Sequence, residues 1–150
     1  MKSKLLPQRI FYCLCGLIIV IAGVASRMFH SGIALIDHDL GEALYAALAY
    51  VLLGIVRPQL MPVPKALITL AAMVAIEAFQ LTGVPARFAA SENSVLNLLA
   101  VVLGTTWNWR DLLGYAVGIA VVALLDYVFS LRQPVGYPNF PAGQKRMPRG

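Results

Sequence analysis

The sequence predicts an all-α fold, an integral membrane bundle of four transmembrane helices with a short re-entrant or interfacial helix between spans three and four. Three observations lead there. Hydrophobic residues make up 59% of the chain and charged residues 13%, with a mean hydropathy of +0.75; a water-soluble domain carries about twice that charged fraction. The apolar residues come in blocks close to the ~20 residues a helix needs to cross ~30 Å of hydrocarbon. The basic residues also divide unevenly between the two sides that those blocks define, as membrane topology requires.

Taken in order, residues 10–26 are seventeen uncharged residues and form the first span. The second, 40–56, has an uncharged stretch at 43–56 and begins with Glu42 at headgroup level. The third, 65–84, opens with Lys65 and then lies in a run, 66–86, whose single charge is Glu77, and the fourth, 111–131, opens with Asp111 and is then interrupted only by Asp126. Between them "SVLNLLAVVLGTTWNW" carries Asn97, Thr105, Thr106 and Asn108, which leave an apolar helix only over about 94–106. With four spans, nine basic residues (Lys2, Lys4, Arg9, Arg57, Lys65, Arg132, Lys145, Arg146, Arg149) share one side and three (Arg27, Arg87, Arg110) the other. A fifth crossing would make the division six to six, so both termini are expected in the cytoplasm. Residues 1–131 then form a single transmembrane domain. The tail 132–150, with four Pro and three Gly, is expected to be a disordered cytoplasmic end lying near anionic lipid. Reading residues 10–26 as a cleaved signal peptide would leave three spans and upset this charge balance.

The net charge of +5 is accounted for by topology, and no interleaving of aromatic with basic residues suggests a nucleic-acid surface. Cys13 and Cys15 point to different sides of a helix and cannot bridge each other. His30, Asp37, His38, Asp39 and Glu42 crowd one outer loop without metal-ligand spacing, so no metal is expected. Phosphate loops, nucleophile elbows and metalloprotease helices are missing, which leaves no catalytic residue and no cofactor to name.

The remaining polar residues share the outer side. Glu77 and Gln80 lie on one helix face, as do Glu42 and Tyr45, each pair three residues apart. Arg110 and Asp111 open span four, Arg27 closes span one, and Arg87 follows span three. A carboxylate in the membrane costs ~2.5 to 3.5 kcal/mol on insertion scales and turns inward to a partner, so Glu77 is expected to face the interior with Arg27 or Arg87. Gly114 and Gly118 form a small-residue pair that admits a close neighbouring helix.

The segments "GEALYAALAYVLLG", "EAFQLTGVPAR" and "LGTTWNWRDLLGYAVG" resemble a small bacterial membrane family catalogued as domain of unknown function 2809, over about residues 23–126. More weakly, the chain is similar to VanZ-like proteins, whose pattern falls on Asp37, Gly41 and Tyr45, then on Glu77, Gln80, Arg87, Asn93, Asn97, Ala100 and Gly104. Gly41 replaces that pattern's histidine, Asn93 an aspartate, and Ala100 a glycine. The first resemblance implies no activity. The second implies a cell-envelope role, and the two together imply the bacterial inner membrane.

Three classes of function follow. One is an envelope protein whose outer pocket binds a small or lipid-linked anionic ligand, with Arg27, Arg87 and Arg110 holding the anion and Glu77 and Gln80 orienting it. The same residues could instead only tie helices together. A second is an intramembrane enzyme using Glu77 as general acid or base, and it lacks any companion nucleophile. The third is an assembly subunit of a membrane complex, with another membrane protein as partner and an oligomer possible. The lipid bilayer is a partner in all three.

Overall fold

The computed structural model describes residues 5–28 and 39–132, and among these every regular element is a helix. They are α1 (Leu5–Met28), α2 (Leu40–Val56), α3 (Pro62–Gln80), α4 (Val84–Ala89), α5 (Ser94–Leu103) and α6 (Trp109–Arg132). The tail beyond Arg132, and His30, Asp37 and His38 of the crowded loop, lie outside the described residues.

Three helices are long and apolar enough to cross a membrane, over Leu6–Ser26, Pro62–Gln80 and Trp109–Leu131. α2 has 17 residues and extends about 26 Å at 1.5 Å per residue. The 10 residues of α5 reach about 15 Å, half of a hydrocarbon core.

The helix ends have local causes. α3 begins at Pro62 because a proline without an amide hydrogen suits the first helical turn. It stops at Gln80, four residues short of the expected span end at 84, in a turn where Gly83 takes the left-handed φ of 68°. Pro85 then sits in the first turn of α4, a six-residue helix that hydropathy alone did not separate from α3. Asn93 caps α5, its side-chain oxygen accepting from the Val95 amide at 2.9 Å. α5 closes at Gly104, whose φ is 73°.

α2 is the central helix, packed against α1, α3 and α6, while α4 and α5 form a side layer reached through α3. Its buried residues Ala46, Ala47, Tyr50, Val51 and Gly54 keep helical spacing and let neighbours approach. The closest approach is to α6, where a Cβ on Gly118 would fall 2.0 Å from the Ala43 carbonyl oxygen and one on Gly114 3.0 Å from Glu42 Cβ. Only glycine fits at Gly118 with the two backbones where they are.

Burial is inverted relative to a water-soluble bundle. Lys65, Glu77 and Asp126 are buried to 1–2% exposure, whereas Ile18 and Ile21 of α1, Leu67 of α3, and Val117 and Leu124 of α6 are each 58–66% exposed. Water would favour the opposite arrangement for both groups. A hydrocarbon surround explains both at once, since apolar side chains lose nothing there and ionisable ones must face inward.

Candidate functional site

Antiparallel packing of the long helices gives the bundle two ends. α1 begins and α6 finishes at the near end; α2 and α6 begin and α3 finishes at the far end, with α4 and α5. Each end holds a buried polar centre, and the two differ in how completely they are satisfied.

At the near end Asp126 of α6 is the hub. Lys65 of α3 approaches it with Nζ 2.5 Å from Oδ2. Tyr50 of α2 donates to Oδ2 at 2.7 Å, and Tyr12 of α1 donates to Oδ1 at 2.8 Å. Lys65 also donates to the Tyr12 hydroxyl and lies 4.5 Å from the centre of that ring. One residue from each of the four longest helices thus meets at one carboxylate. Both oxygens of Asp126 accept hydrogen bonds, and stacking of Phe11 on Phe129 at 4.2 Å covers the same end. Lys65, counted in the sequence among the nine basic residues of one side, lies one turn inside α3 and is paired.

At the far end Glu77 of α3 faces α6, and its Oε1 accepts from the Tyr115 hydroxyl at 2.7 Å. The expected arginine is not its partner among the described residues. Arg87 stands exposed on α4, and Arg110 bonds Asp39 at 3.0 Å near the surface. Arg27 closes α1, with its side chain outside the described part of the structure. Among the described residues the Glu77 Oε2 has no hydrogen-bond partner.

Two long side chains tie α5 to the bundle by satisfying carbonyls that its last turn leaves open. Gln80 Nε2 donates to the Leu103 carbonyl at 2.7 Å, and the Tyr45 hydroxyl to the Val102 carbonyl at 2.8 Å. Gly104 is required twice, by its positive φ and because a Cβ there would meet Gln80 Nε2 at 2.6 Å. Together these contacts wall a cavity of about 210 Å³, whose polar lining includes Glu42, Tyr45, Gln80, Thr105, Asp111 and Tyr115. A second cavity of about 350 Å³ shares Val101, Gly104 and Thr105 with it and reaches Asn97. An apolar groove of about 440 Å³ runs between α2 and α6, lined by Leu40, Ala43, Leu113 and Val117, with Asp39 and Arg110 also on its walls.

The structure therefore brings Glu42, Tyr45, Gln80, Asp111 and Tyr115 to one cavity, with Glu77 behind Tyr115 and Asn97 next door. It does not bring Arg87 or Arg110 into that cavity. Tyr115, Tyr12, Tyr50, Lys65 and Asp126 were not singled out as site residues from the sequence. The available signal was an aspartate in the fourth apolar run and a lysine close to the start of the third. Among the described residues no group of three or more His, Cys, Asp or Glu side chains could hold a metal ion.

Fold and site together define the class: a bundle that is all-helical among the described residues, three of whose helices are long and apolar enough to span a membrane, with a polar cavity at one end. The chain belongs to the family described as Protein of unknown function (DUF2809), which matches residues 32–119. That stretch runs from before α2 to the middle of α6 and includes every residue named for the far-end cavities. No curated protein and no solved structure matches the chain.

Proposed function

We propose that the chain is a four-span integral membrane protein that binds a small or lipid-linked ligand in its far-end cavity, and that it is a binding protein rather than an enzyme. α1, α2, α3 and α6 are the spans, with α2 at the short end of the ~17 to 25 residues that suffice. α5 is the interfacial or re-entrant element. The near end is cytoplasmic and the far end faces outward from the bacterial inner membrane, in keeping with the nine-to-three division of basic residues.

The observation that carries the binding reading is the far-end cavity, whose lining keeps a buried acceptor, Gln80 Oε1, without a partner among the described residues. A purely structural polar centre would be expected to close on itself, as the near-end one does. A lipid-linked ligand is favoured over a free solute by the apolar groove that opens between α2 and α6. The enzyme reading finds no nucleophile beside Glu77, whose described contact is a tyrosine hydroxyl. The assembly reading loses its motif, because Gly114 and Gly118 are taken up against α2 of the same chain.

Two measurements test the proposal. Single cysteines at Arg57 and at Glu92, labelled in intact cells by a membrane-impermeant thiol reagent after both native cysteines are replaced by serine, should react only at position 92. Labelling at 57, or at both, would overturn the topology. Native mass spectrometry of the protein extracted in mild detergent should show a bound small molecule or lipid that Thr105→Trp, built to fill the cavity, expels without unfolding the bundle.

A further inference from the structure

The two adjoining far-end cavities set hydrogen-bond acceptors beside hydroxyl donors, and the first of them adds aromatic walls. We propose that they take a neutral polyhydroxylated group, a single sugar ring, which deepens the binding reading above by naming its ligand class and rests on it. The acceptors are buried. Gln80 is 7% exposed, its amide is oriented by the bond from Nε2 to the Leu103 carbonyl, and the Oε1 left over has no partner among the described residues. Asn97 Oδ1, in the second cavity, is buried and likewise without a partner among the described residues. Buried acceptors of this kind are ordinarily met. The donors come from Thr105, which lines both cavities, and Thr106, which lines the first. A threonine hydroxyl gives one hydrogen and also accepts on two lone pairs. The same pairing, an amide oxygen with the Thr105 hydroxyl, therefore occurs in both cavities.

A ring of neighbouring hydroxyls matches that pattern, because each one both donates and accepts and so can give a hydrogen to an amide oxygen while taking one from a threonine. An ammonium group only donates and leaves the threonine hydrogens unused. An ionised phosphate or carboxylate only accepts, leaves the amide oxygens unmet, and finds no lysine, arginine or histidine on these walls among the described residues. Tyr45 and Tyr115 line the first cavity with ring centres 6.4 Å apart, and their hydroxyls are held by the Val102 carbonyl and Glu77. The rings are thereby fixed, and a sugar has an apolar C–H face to lay on an aromatic ring while its hydroxyls meet the polar wall. The cavities, of about 210 and 350 Å³ and sharing Val101, Gly104 and Thr105, together fall within the ~300 to 1,000 Å³ of small-molecule sites. The ring arrives either as a free sugar or as the headgroup of a glycolipid. For the lipid, Val101 lines both cavities and is itself exposed, on the same face of α5 as exposed Leu98 and Val102, which gives acyl chains an apolar path out of the site.

The test uses the full chain in phosphatidylcholine nanodiscs, with thermal unfolding followed as probes are titrated. Glucose, mannose and N-acetylglucosamine are added at millimolar concentrations, below those at which sugars stabilise proteins in general by exclusion from their surface. Ethylamine and phosphate stand for the two charged classes, and a parallel set of nanodiscs contains a glucosyl diacylglycerol at rising mole fraction. The expected result is saturable stabilisation by a sugar, or by the glycolipid alone if the lipid is the source, and none by ethylamine or phosphate. Thr105→Val removes the shared hydroxyl and Asn97→Leu the buried amide; each should weaken the response about three- to tenfold, the worth of one neutral hydrogen bond. Thr106→Val, in the segment after α5, carries the test if either of these does not fold. A sugar response unchanged in every variant that folds would overturn the proposal. Saturable stabilisation by ethylamine or phosphate, with none by a sugar or the glycolipid, would overturn it and leave the binding reading standing. No response to any probe, in a protein that melts cooperatively, would also overturn it, and the bound molecule sought by native mass spectrometry then decides the binding reading by itself.

Discussion

The two polar centres are built from the same materials and come out opposite. At the near end a lysine, an aspartate and two tyrosines leave both carboxylate oxygens of Asp126 occupied. At the far end carboxylates and amides from several helices gather around a cavity, and Glu77 Oε2, Gln80 Oε1 and Asn97 Oδ1 have no hydrogen-bond partner among the described residues. Both centres sit on the buried stripes of the same helices, since Lys65, Thr69, Met73 and Glu77 follow one another at four-residue steps along α3 and Tyr115 and Asp126 lie eleven apart on α6. Between them the shared face carries Met73 of α3 with Ile119 and Val122 of α6, all buried. An apolar plug thus separates a closed polar knot from an open polar pocket. The difference teaches which residues hold the bundle together and which are left for something else, a distinction that burial alone would miss because Lys65 and Glu77 are equally buried.

The comparison breaks first at Asp126. Asp126→Asn leaves the Lys65 ammonium buried without its counter-charge, and removing one partner of a buried pair costs about 3 to 5 kcal/mol. Unfolding in a denaturing detergent series should show a larger loss for it than for Gly118→Ala or Glu77→Gln. Adding Lys65→Met to Asp126→Asn should recover part of it, so the double variant loses less than the sum of the singles by more than about 1 kcal/mol. Additive losses would mean that the lysine and the aspartate act independently.

The α2–α6 contact comes next in size. Gly118→Ala drives a methyl into the Ala43 backbone, which cannot rotate away, and overpacking of this kind costs about 1 to 3 kcal/mol. Gly114→Ala meets its nearest neighbour at 3.0 Å and should lose less. Gly23→Ala, with nothing within 4 Å of the added carbon, is the control and should be neutral or slightly stabilising through helix propensity. The order of the three melting temperatures checks the contact. If Gly118→Ala melts with Gly23→Ala, the helices do not approach as described.

The long apolar helices were legible because hydropathy in blocks is a property of single segments, and the short helix α5 was legible because Asn97, Thr105 and Thr106 limit its oily length. α4 was not, since the turn at Leu81–Gly83 contains one glycine and no charge to interrupt the run. Lys65 shows a subtler failure. Lys65 opens the expected span 65–84 and was counted as a flanking charge, yet proline suits the first helical turn, and α3 begins three residues earlier at Pro62. That shift moves Lys65 from the surface to a buried pair with a residue 61 positions away. The inward position of Glu77 follows from its isolation in apolar sequence. Its contact with Tyr115 depends instead on how α3 crosses α6, and a tyrosine among apolar residues gives no sign that its hydroxyl is needed.

The smallest expected effect sharpens the comparison most, because Glu77→Gln is chemically the same change as Asp126→Asn. In the near-end centre the substitution strands a cation. In the far-end centre it meets a tyrosine hydroxyl, and glutamine keeps an oxygen to accept from Tyr115 at the same position. What is lost is the difference between a hydrogen bond to a charged acceptor and one to a neutral acceptor, about 1 kcal/mol. Glu77→Leu removes the acceptor and leaves the Tyr115 hydroxyl buried and unpaired, a penalty of about 1 to 3 kcal/mol, so the expected order of stability is wild type, then Gln, then Leu. Unfolding of the three proteins in the same detergent series measures it. Were Glu77→Gln to lose as much as Asp126→Asn, a cation would have to face Glu77 after all. Arg27, which closes α1, would be the arginine to examine, and Arg27→Gln in the Glu77→Gln background should then restore stability. If the loss stays near ~1 kcal/mol and Arg27→Gln restores nothing, the far-end carboxylate carries no resident counter-ion, and its charge is available to a ligand.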